Sequence, residues 1–275
     1  MQPHPDALEV MSELKLRNEP FALATVVRTV SVTAAKAGAK AVIRPDGTIS
    51  EGWIGGGCAR AAVIKAARDA LSDGQPRLVS LQPKDLLDEK GVASGDERDG
   101  VRFANNMCPS KGSMDIFVEP MLPRPTLAVF GSSPVAVALA DLAPRFGYRS
   151  VVCAPASEQT AFGEVDQRVD GFALPVESES HRFVIVATQG RGDEAALRAA
   201  LSIDADHIAF VGSRRKMAAL REKLLADGVE AARFDRVKGP AGLDIGAITP
   251  DEIALSVLAE ILTVRRRHHR STANT

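Results

Sequence analysis

The sequence is poor in cysteine, in net charge and in long apolar runs, and each shortage excludes something. Only Cys58, Cys108 and Cys153 occur in 275 residues. An odd number so widely spaced makes no disulfide framework, so reduced thiols are expected and their reactivity becomes the question. With Lys+Arg at 34 against Asp+Glu at 35, the chain lacks the basic surplus that wholesale binding of nucleic acid requires. No stretch approaches the ~20 apolar residues of a membrane span. Residues 1–14 lack the basic and apolar regions of a secretory signal. A cytoplasmic protein with no nucleic-acid or membrane partner is expected. What is present, 45% hydrophobic and 25% charged residues, suits one large or two modest domains with real cores.

After a polar lead-in, residues 21–29 predict a buried strand. Residues 39–43 and 48–54 predict a hairpin around Pro45-Asp46-Gly47. Gly55-Gly56-Gly57 breaks the second hairpin strand, and residues 59–71 predict a helix stopped by Gly74 and Pro76. Residues 78–81 and 114–118 predict further strands. Residues 83–112 show no sustained period and read as a long loop, functional or mobile. The prolines of residues 119–125 predict a linker, placing a β-rich α+β domain at residues 1–122 and a second domain at 126–275.

From residue 126 the pattern becomes strand, helix, strand. Residues 127–130, 150–153, 183–187 and 208–211 are apolar runs, with helices at 134–146, 214–226 and 250–267. Thr249 is the expected N-cap of the last helix. The basic end from Arg265 to Arg270, with His268 and His269, reads as a solvated helix terminus suited to the dipole, the alternative being a dedicated anion or lipid site. The fold class expected is α/β: a β-rich first domain followed by a Rossmann-like, doubly wound parallel sheet.

In such a sheet ligands bind beyond the C-terminal strand ends, so the turns after residues 130, 153, 187, 211 and 238 carry the interest. Gly131-Ser132-Ser133-Pro134 stands where a glycine-rich dinucleotide fingerprint belongs but has Ser133 in place of the second glycine. The next strand ends Cys153-Ala154-Pro155, without the carboxylate that holds a ribose, which argues against ordinary NAD(P) use. A phosphate at the helix start, or a plain connecting loop, both fit. Thr188-Gln189-Gly190-Arg191-Gly192-Asp193 offers a guanidinium to phosphate, with Asp193 as a helix cap. Gly212-Ser213-Arg214-Arg215-Lys216 puts cations where they oppose the dipole, which an anionic ligand or a solvated turn would explain. The loop at residues 239–246, with Asp244, suits closure over a ligand or capping of the next turn.

Cys58 follows three glycines at a helix start, where N–H groups and the dipole favour thiolate; an inert packing residue is the alternative. Cys108 sits in a loop where Lys111 is positioned to stabilise its thiolate, and the two thiols can meet to hold a soft metal or sulfur. With no C-x-x-C and no neighbouring histidine, a zinc site is disfavoured. Cys153, at a strand end, reads as packing.

Together these motifs resemble the XdhC/CoxF family, accessory proteins for xanthine dehydrogenase and carbon monoxide dehydrogenase. The resemblance rests on Ala24-Thr25-Val26-Val27-Arg28-Thr29, Gly38-Ala39-Lys40, Ile54-Gly55-Gly56-Gly57-Cys58 and residues 114–120 in the first half. In the second half it rests on residues 210–216, on Pro240-Ala241-Gly242-Leu243-Asp244-Ile245-Gly246, and on Thr249-Pro250. Members usually carry G-x-G-H in the first turn of the second domain, Cys-Gly-Gly after the second cysteine and an acid after the second strand. Here stand Gly131-Ser132-Ser133-Pro134, Cys108-Pro109-Ser110 and Cys153-Ala154-Pro155, a divergent branch closer to the carbon monoxide dehydrogenase type.

The resemblance implies binding of molybdopterin cytosine dinucleotide as cargo, through Gly55, Gly56, Gly57, Cys58, Cys108, Gly131, Ser132, Ser133, Gln189, Arg191, Gly212, Ser213, Arg214 and Asp244. The nucleotide end falls to the second domain and the metal end to Cys58 and Cys108, with the ligand spanning a domain cleft. Implied partners are a cysteine desulfurase and the large subunit of an apo molybdenum hydroxylase. Uncovered sheet edges suggest a homodimer. No residue is assigned as catalytic. The rival readings are a NAD(P)- or flavin-dependent oxidoreductase, and a thiol-based copper or sulfur carrier whose second domain only docks.

Overall fold

The computed structural model describes residues 6–109, 111–174 and 181–273, with side chains described as far as Arg267. Ser110 of the Cys108 loop and the side chains of His268, His269 and Arg270 lie outside the described residues. The chain divides into two compact units, Met1–Pro123 and Arg124–Thr275.

The first unit runs α1 (Ala7–Leu16), β1 (Phe21–Val30), β2 (Lys40–Ile43), β3 (Ile49–Gly52), α2 (Gly57–Asp73), β4 (Arg77–Gln82), α3 (Lys84–Glu89), β5 (Glu97–Arg98), β6 (Val101–Asn105) and β7 (Ser113–Met121). Its seven-stranded sheet has the order β3-β2-β1-β7-β4-β6-β5, antiparallel except for the β4–β6 pair. Strand alternation drives the packing. Met114, Ile116 and Val118 of β7 turn to the same core as Ala22, Ala24 and Val26 of β1, beneath Ala59, Val63, Ala66 and Ala67 of α2. Small residues along that helix face let it lie close to the sheet.

Three expectations for this unit need correction. The lead-in holds helix α1, opened by a capping box in which Asp6 and Glu9 each accept the other's backbone N–H. Its Leu14 packs with Phe21 and Val42. Residues 83–112 are not one loop but contain α3, β5 and β6; Leu87, Val92 and Phe103 form a small core of their own. Residues 119–121 belong to β7, not to a linker. Pro120 faces Ala22 on β1 but lies past the last β4 partner, Val118, where β7 has become an edge and a residue lacking N–H is tolerated.

The second unit comprises β8 (Thr126–Phe130), α4 (Pro134–Leu142), β9 (Arg149–Ala154), β10 (Gln167–Asp170), β11 (Arg182–Val186), α5 (Asp193–Ser202), β12 (His207–Phe210), α6 (Arg214–Ala226), α7 (Ala231–Phe234), β13 (Val237–Lys238) and α8 (Pro250–Ala273). All strands are parallel, in the order β10-β9-β8-β11-β12-β13. The order reverses between β8 and β11, the switch point of a Rossmann sheet, so the expected fold class holds. Successive residues of β8 serve separate cores: Leu127 and Val129 pack with α4 and α8, Ala128 and Phe130 with α5 and α6. A parallel sheet covered on both faces therefore reads as an unbroken apolar run.

Residues 134–146 form no single helix, because α4 gives way at Ala143 to a 3-10 turn containing Pro144, which has no N–H to extend the α ladder. The last helix reaches Ala273 and is capped as expected: Thr249 Oγ1 accepts from Glu252 N at 3.3 Å, and Glu252 accepts from Thr249 N at 2.9 Å. Among the described residues no helix is long and apolar enough to cross a membrane.

Candidate functional site

The expected site residues gather in separate places in the two units. In the first, Gly56 is the N-cap of α2 and Cys58 its second residue. No side chain caps this helix and no acid stands in its first turn. Across from it, the β6–β7 loop is held by Asn106, whose Oδ1 accepts from Cys108 N at 3.0 Å and whose Nδ2 donates to Gly112 O at 2.7 Å. Gly112 must be glycine, since a Cβ there would lie 2.2 Å from Val32 O. The result is a cavity of about 280 Å³ whose wall includes Gly56, Gly57, Cys58, Met107, Cys108 and Met114. Cys58 and Cys108 therefore line one cavity, and neither is in a disulfide.

Lys111 does not serve Cys108. Its Nζ lies 3.0 Å from Asp85 Oδ2, and this hydrogen bond holds the Asp85 carboxyl below its ordinary range. Cys153 is fully buried in β9, and burial pushes its thiol up to about 12, so it is a packing residue. Among the described residues no group of three or more His, Cys, Asp or Glu is placed to hold a metal ion, which limits Cys58 and Cys108 to ions that accept other ligands.

In the second unit the turns leave the C-terminal ends of the strands. Gly131 has φ +109, and a Cβ would lie 2.7 Å from both Ala187 O and Thr188 Cα, so the β8 and β11 turns touch backbone to backbone. Ser133 caps α4, accepting from Ala136 N at 3.2 Å. The hydroxyl of Ser132 donates to Glu158, whose other oxygen is 3.8 Å from Arg191. Two residues expected to take an anion thus meet on a carboxylate that the strand-end pattern does not reveal. It arrives four residues past the end of β9, on a 3-10 turn tied down by Gln159 Nε2, which donates to Ala154 O and Val169 O at 2.8 Å each.

Asp193 is not the N-cap of α5; Gly192 is. The Asp193 carboxylate accepts from Thr188 and from Gly190 N, and pairs with Lys216 at 2.7 Å. Burial raises its pKa, but the bonds from Lys216, Thr188 and Gly190 outweigh burial and hold it below the usual carboxylate range. Lys216 is thus committed to tying the β11 and β12 turns together and is not the open cation expected of it. Gln189 stands exposed in this turn at φ 51. Ser213 caps α6, accepting from Lys216 N at 3.2 Å. Gly212, Arg214 and Asp244 share a second cavity of about 760 Å³, with Lys238 on its wall. Lys238 Nζ donates to Gly242 O at 3.0 Å and pairs with the buried Glu260, which bonds His207 at 2.7 Å.

Comparison with known proteins places both units. Residues 14–82 match the model of the XdhC and CoxI family, and residues 127–261 match that of the XdhC Rossmann domain. The Escherichia coli protein YqeB, described as uncharacterized, is 30% identical over 92% of this chain and 45% of its own length. A Bacillus subtilis protein described as a probable xanthine dehydrogenase subunit is 33% identical over 56% of this chain and 47% of its own. The chain spans about half the length of these relatives. A crystal structure described as a xanthine dehydrogenase from Bacillus halodurans is similar over 96% of each chain, with 19% identity and a TM-score of 0.44. Matched in both of its units, the chain belongs to the XdhC family.

Proposed function

We propose that this chain is an accessory factor for a molybdenum hydroxylase, holding molybdopterin cytosine dinucleotide for delivery and performing no metabolic turnover of its own. The observation that carries this reading is the Rossmann switch point of an XdhC-family chain, where Gly131 meets the β11 turn beside the α4 N-terminus. The residues fit a dinucleotide. The first turn of α4 holds no acid, so the positive end of its dipole favours a phosphate there, although Pro134 has no N–H to give and Ser133 already takes that of Ala136. Glu158, now on the Ser132 hydroxyl, suits a ribose hydroxyl in the same place.

In this reading Gly131, Ser132, Ser133 and Arg191 hold the pyrophosphate. Gln189, Gly212, Ser213, Arg214 and Asp244 hold the remainder of the nucleotide, and Gly55 to Cys58 with Cys108 handle sulfur or metal. When bound, the cofactor supplies the molybdenum chemistry; this chain anchors and shields it. The partners are a cysteine desulfurase and the large subunit of an apo hydroxylase of the carbon monoxide dehydrogenase type. A second copy pairs through the sheet edges at β3 or β5.

Calorimetry under anaerobic conditions tests this, with purified molybdenum cofactor as ligand and CTP, CMP, ADP and NAD(P)H as competitors. Tight pterin-dinucleotide binding with cytidine preference is expected. One observation favours a second reading: Glu158 beside Ser132 restores a ribose-binding carboxylate, as a NAD(P)-dependent oxidoreductase would need. Binding of NAD(P)H without affinity for the pterin would establish that reading instead.

A further inference from the structure

Nine residues of the chain carry sulfur, three cysteines and six methionines, and four of them stand on one eleven-residue wall. Beside Cys58 and Cys108 the cavity presents Met107 and Met114. Met114 is buried and turned toward the glycine loop, its Cε 3.3 Å from where a Cβ of Gly55 would lie. Met107 lines the same cavity while 76% exposed, so packing gives little account of its place. No charged side chain shares the wall.

We propose that this cavity binds one Cu(I) ion through the thiolates of Cys58 and Cys108 and the thioethers of Met107 and Met114. Thioethers are soft ligands that select Cu(I), whereas zinc takes thiolate, imidazole and carboxylate and the hard divalent ions take oxygen. The lack of any suitable three-membered His, Cys, Asp or Glu group among the described residues points the same way. Cu(I) held by two thiolates carries one net negative charge. That charge is placed against the start of α2, a 17-residue helix without a side-chain cap or a first-turn acid, where the macrodipole and the unpaired N–H groups favour an anion. Binding moves no electrons; each ligating thiol gives its proton to the solvent. The inference rests on the accessory reading only for what the metal serves, and binding itself stands on these four residues.

The test is an anaerobic titration of the full chain with Cu(I) against bicinchoninate, with copper X-ray absorption on the loaded protein. One equivalent and a sulfur-only ligand shell are expected. Cys58→Ser and Cys108→Ser should each weaken binding by about 100-fold, and Met107→Leu by about 10-fold. Met107 is exposed, so its leucine variant probes the ligand set without loading the core. Unchanged affinity in Met107→Leu, an oxygen or nitrogen ligand, or wild-type affinity no better than that of the double serine variant would overturn the inference. Cofactor calorimetry on the same preparation separates the two proposals: nucleotide binding without Cu(I) binding removes the copper site and leaves the accessory role standing.

Discussion

In the first unit the cavity groups are soft, thiols and thioethers gathered where a glycine loop enters α2. In the second they are charged and hard, carboxylates, guanidinium and ammonium groups spread over the turns that leave a parallel sheet. Each kind of chemistry follows from the architecture beneath it. Parallel strands bring several turns to one edge, where a long polyanion can be gripped at many points. A mixed sheet with one covering helix offers a single N-terminus and one facing loop, enough for a compact ligand. The chain thus keeps soft and hard groups on separate scaffolds.

The sharpest way to break this separation is to damage one core and watch the other. Phe183 is fully buried and packs edge-on against Tyr148, so Phe183→Ala should cost about 3–5 kcal/mol. Trp53, the one tryptophan of the chain, lies in the first unit, so its fluorescence in urea reports that unit. Its transition should stay in place while calorimetric melting of the second unit falls; a joint shift would show that the two cores unfold as one. Next in size is a matched pair. Gly131→Ala sets a Cβ 2.7 Å from Ala187 O, and Gly112→Ala sets one 2.2 Å from Val32 O. Each should cost about 1–3 kcal/mol in its own unit. The first should abolish nucleotide binding and leave the rate of thiol labelling at Cys58 and Cys108 unchanged, and the second should change that rate and spare nucleotide binding.

Asp193→Ala tests the hard side alone. Its side chain is 11% exposed and bonded to Lys216, so the loss should be about 1–3 kcal/mol. Because the folded pKa lies below the ordinary value, the contribution is full above the unfolded carboxylate range and fades as pH falls through the folded value. Denaturant melts between neutral and acid pH should therefore show a flatter acid arm in the variant. The smallest effect belongs to Cys153, whose thiol rises from 9.0 to about 12 on burial. A raised value stabilises below the unfolded pKa, so that stability is lost only as pH climbs from about 9 toward 12. Iodoacetamide at neutral pH should label Cys58 and Cys108 and leave Cys153 untouched until urea unfolds the chain.

The second unit was legible in its sequence because β8, β9, β11 and β12 are buried on both faces and bounded by glycine turns, so both the elements and their parallel order follow from pattern. The first unit was less so. Strands β5 and β6 are short and partly exposed, leaving no period to detect between residues 83 and 112. Pro120 imitates a linker although its strand has only lost one neighbour. Helix α1 did carry a signal, Asp6 followed three residues later by Glu9, which the polar lead-in obscured. At the site, the two cysteines and the strand-end turns announce themselves by residue type and position. Glu158 does not, because a 3-10 turn returns it to Ser132 from beyond the strand. Met107 and Met114 do not either, since a methionine in sequence looks like core wherever it stands.

Strand β7 is the last of the first sheet to be made, yet it sits between β1 and β4. On the ribosome, β1 with its hairpin and β4 emerge with no strand between them, held together only through α2, and each carries an unpaired edge. The N-terminal half must therefore wait for Met121 to clear the exit tunnel before its sheet can close. That interval is when edge-to-edge association competes with folding, and slowing translation just ahead of β7 would lengthen it.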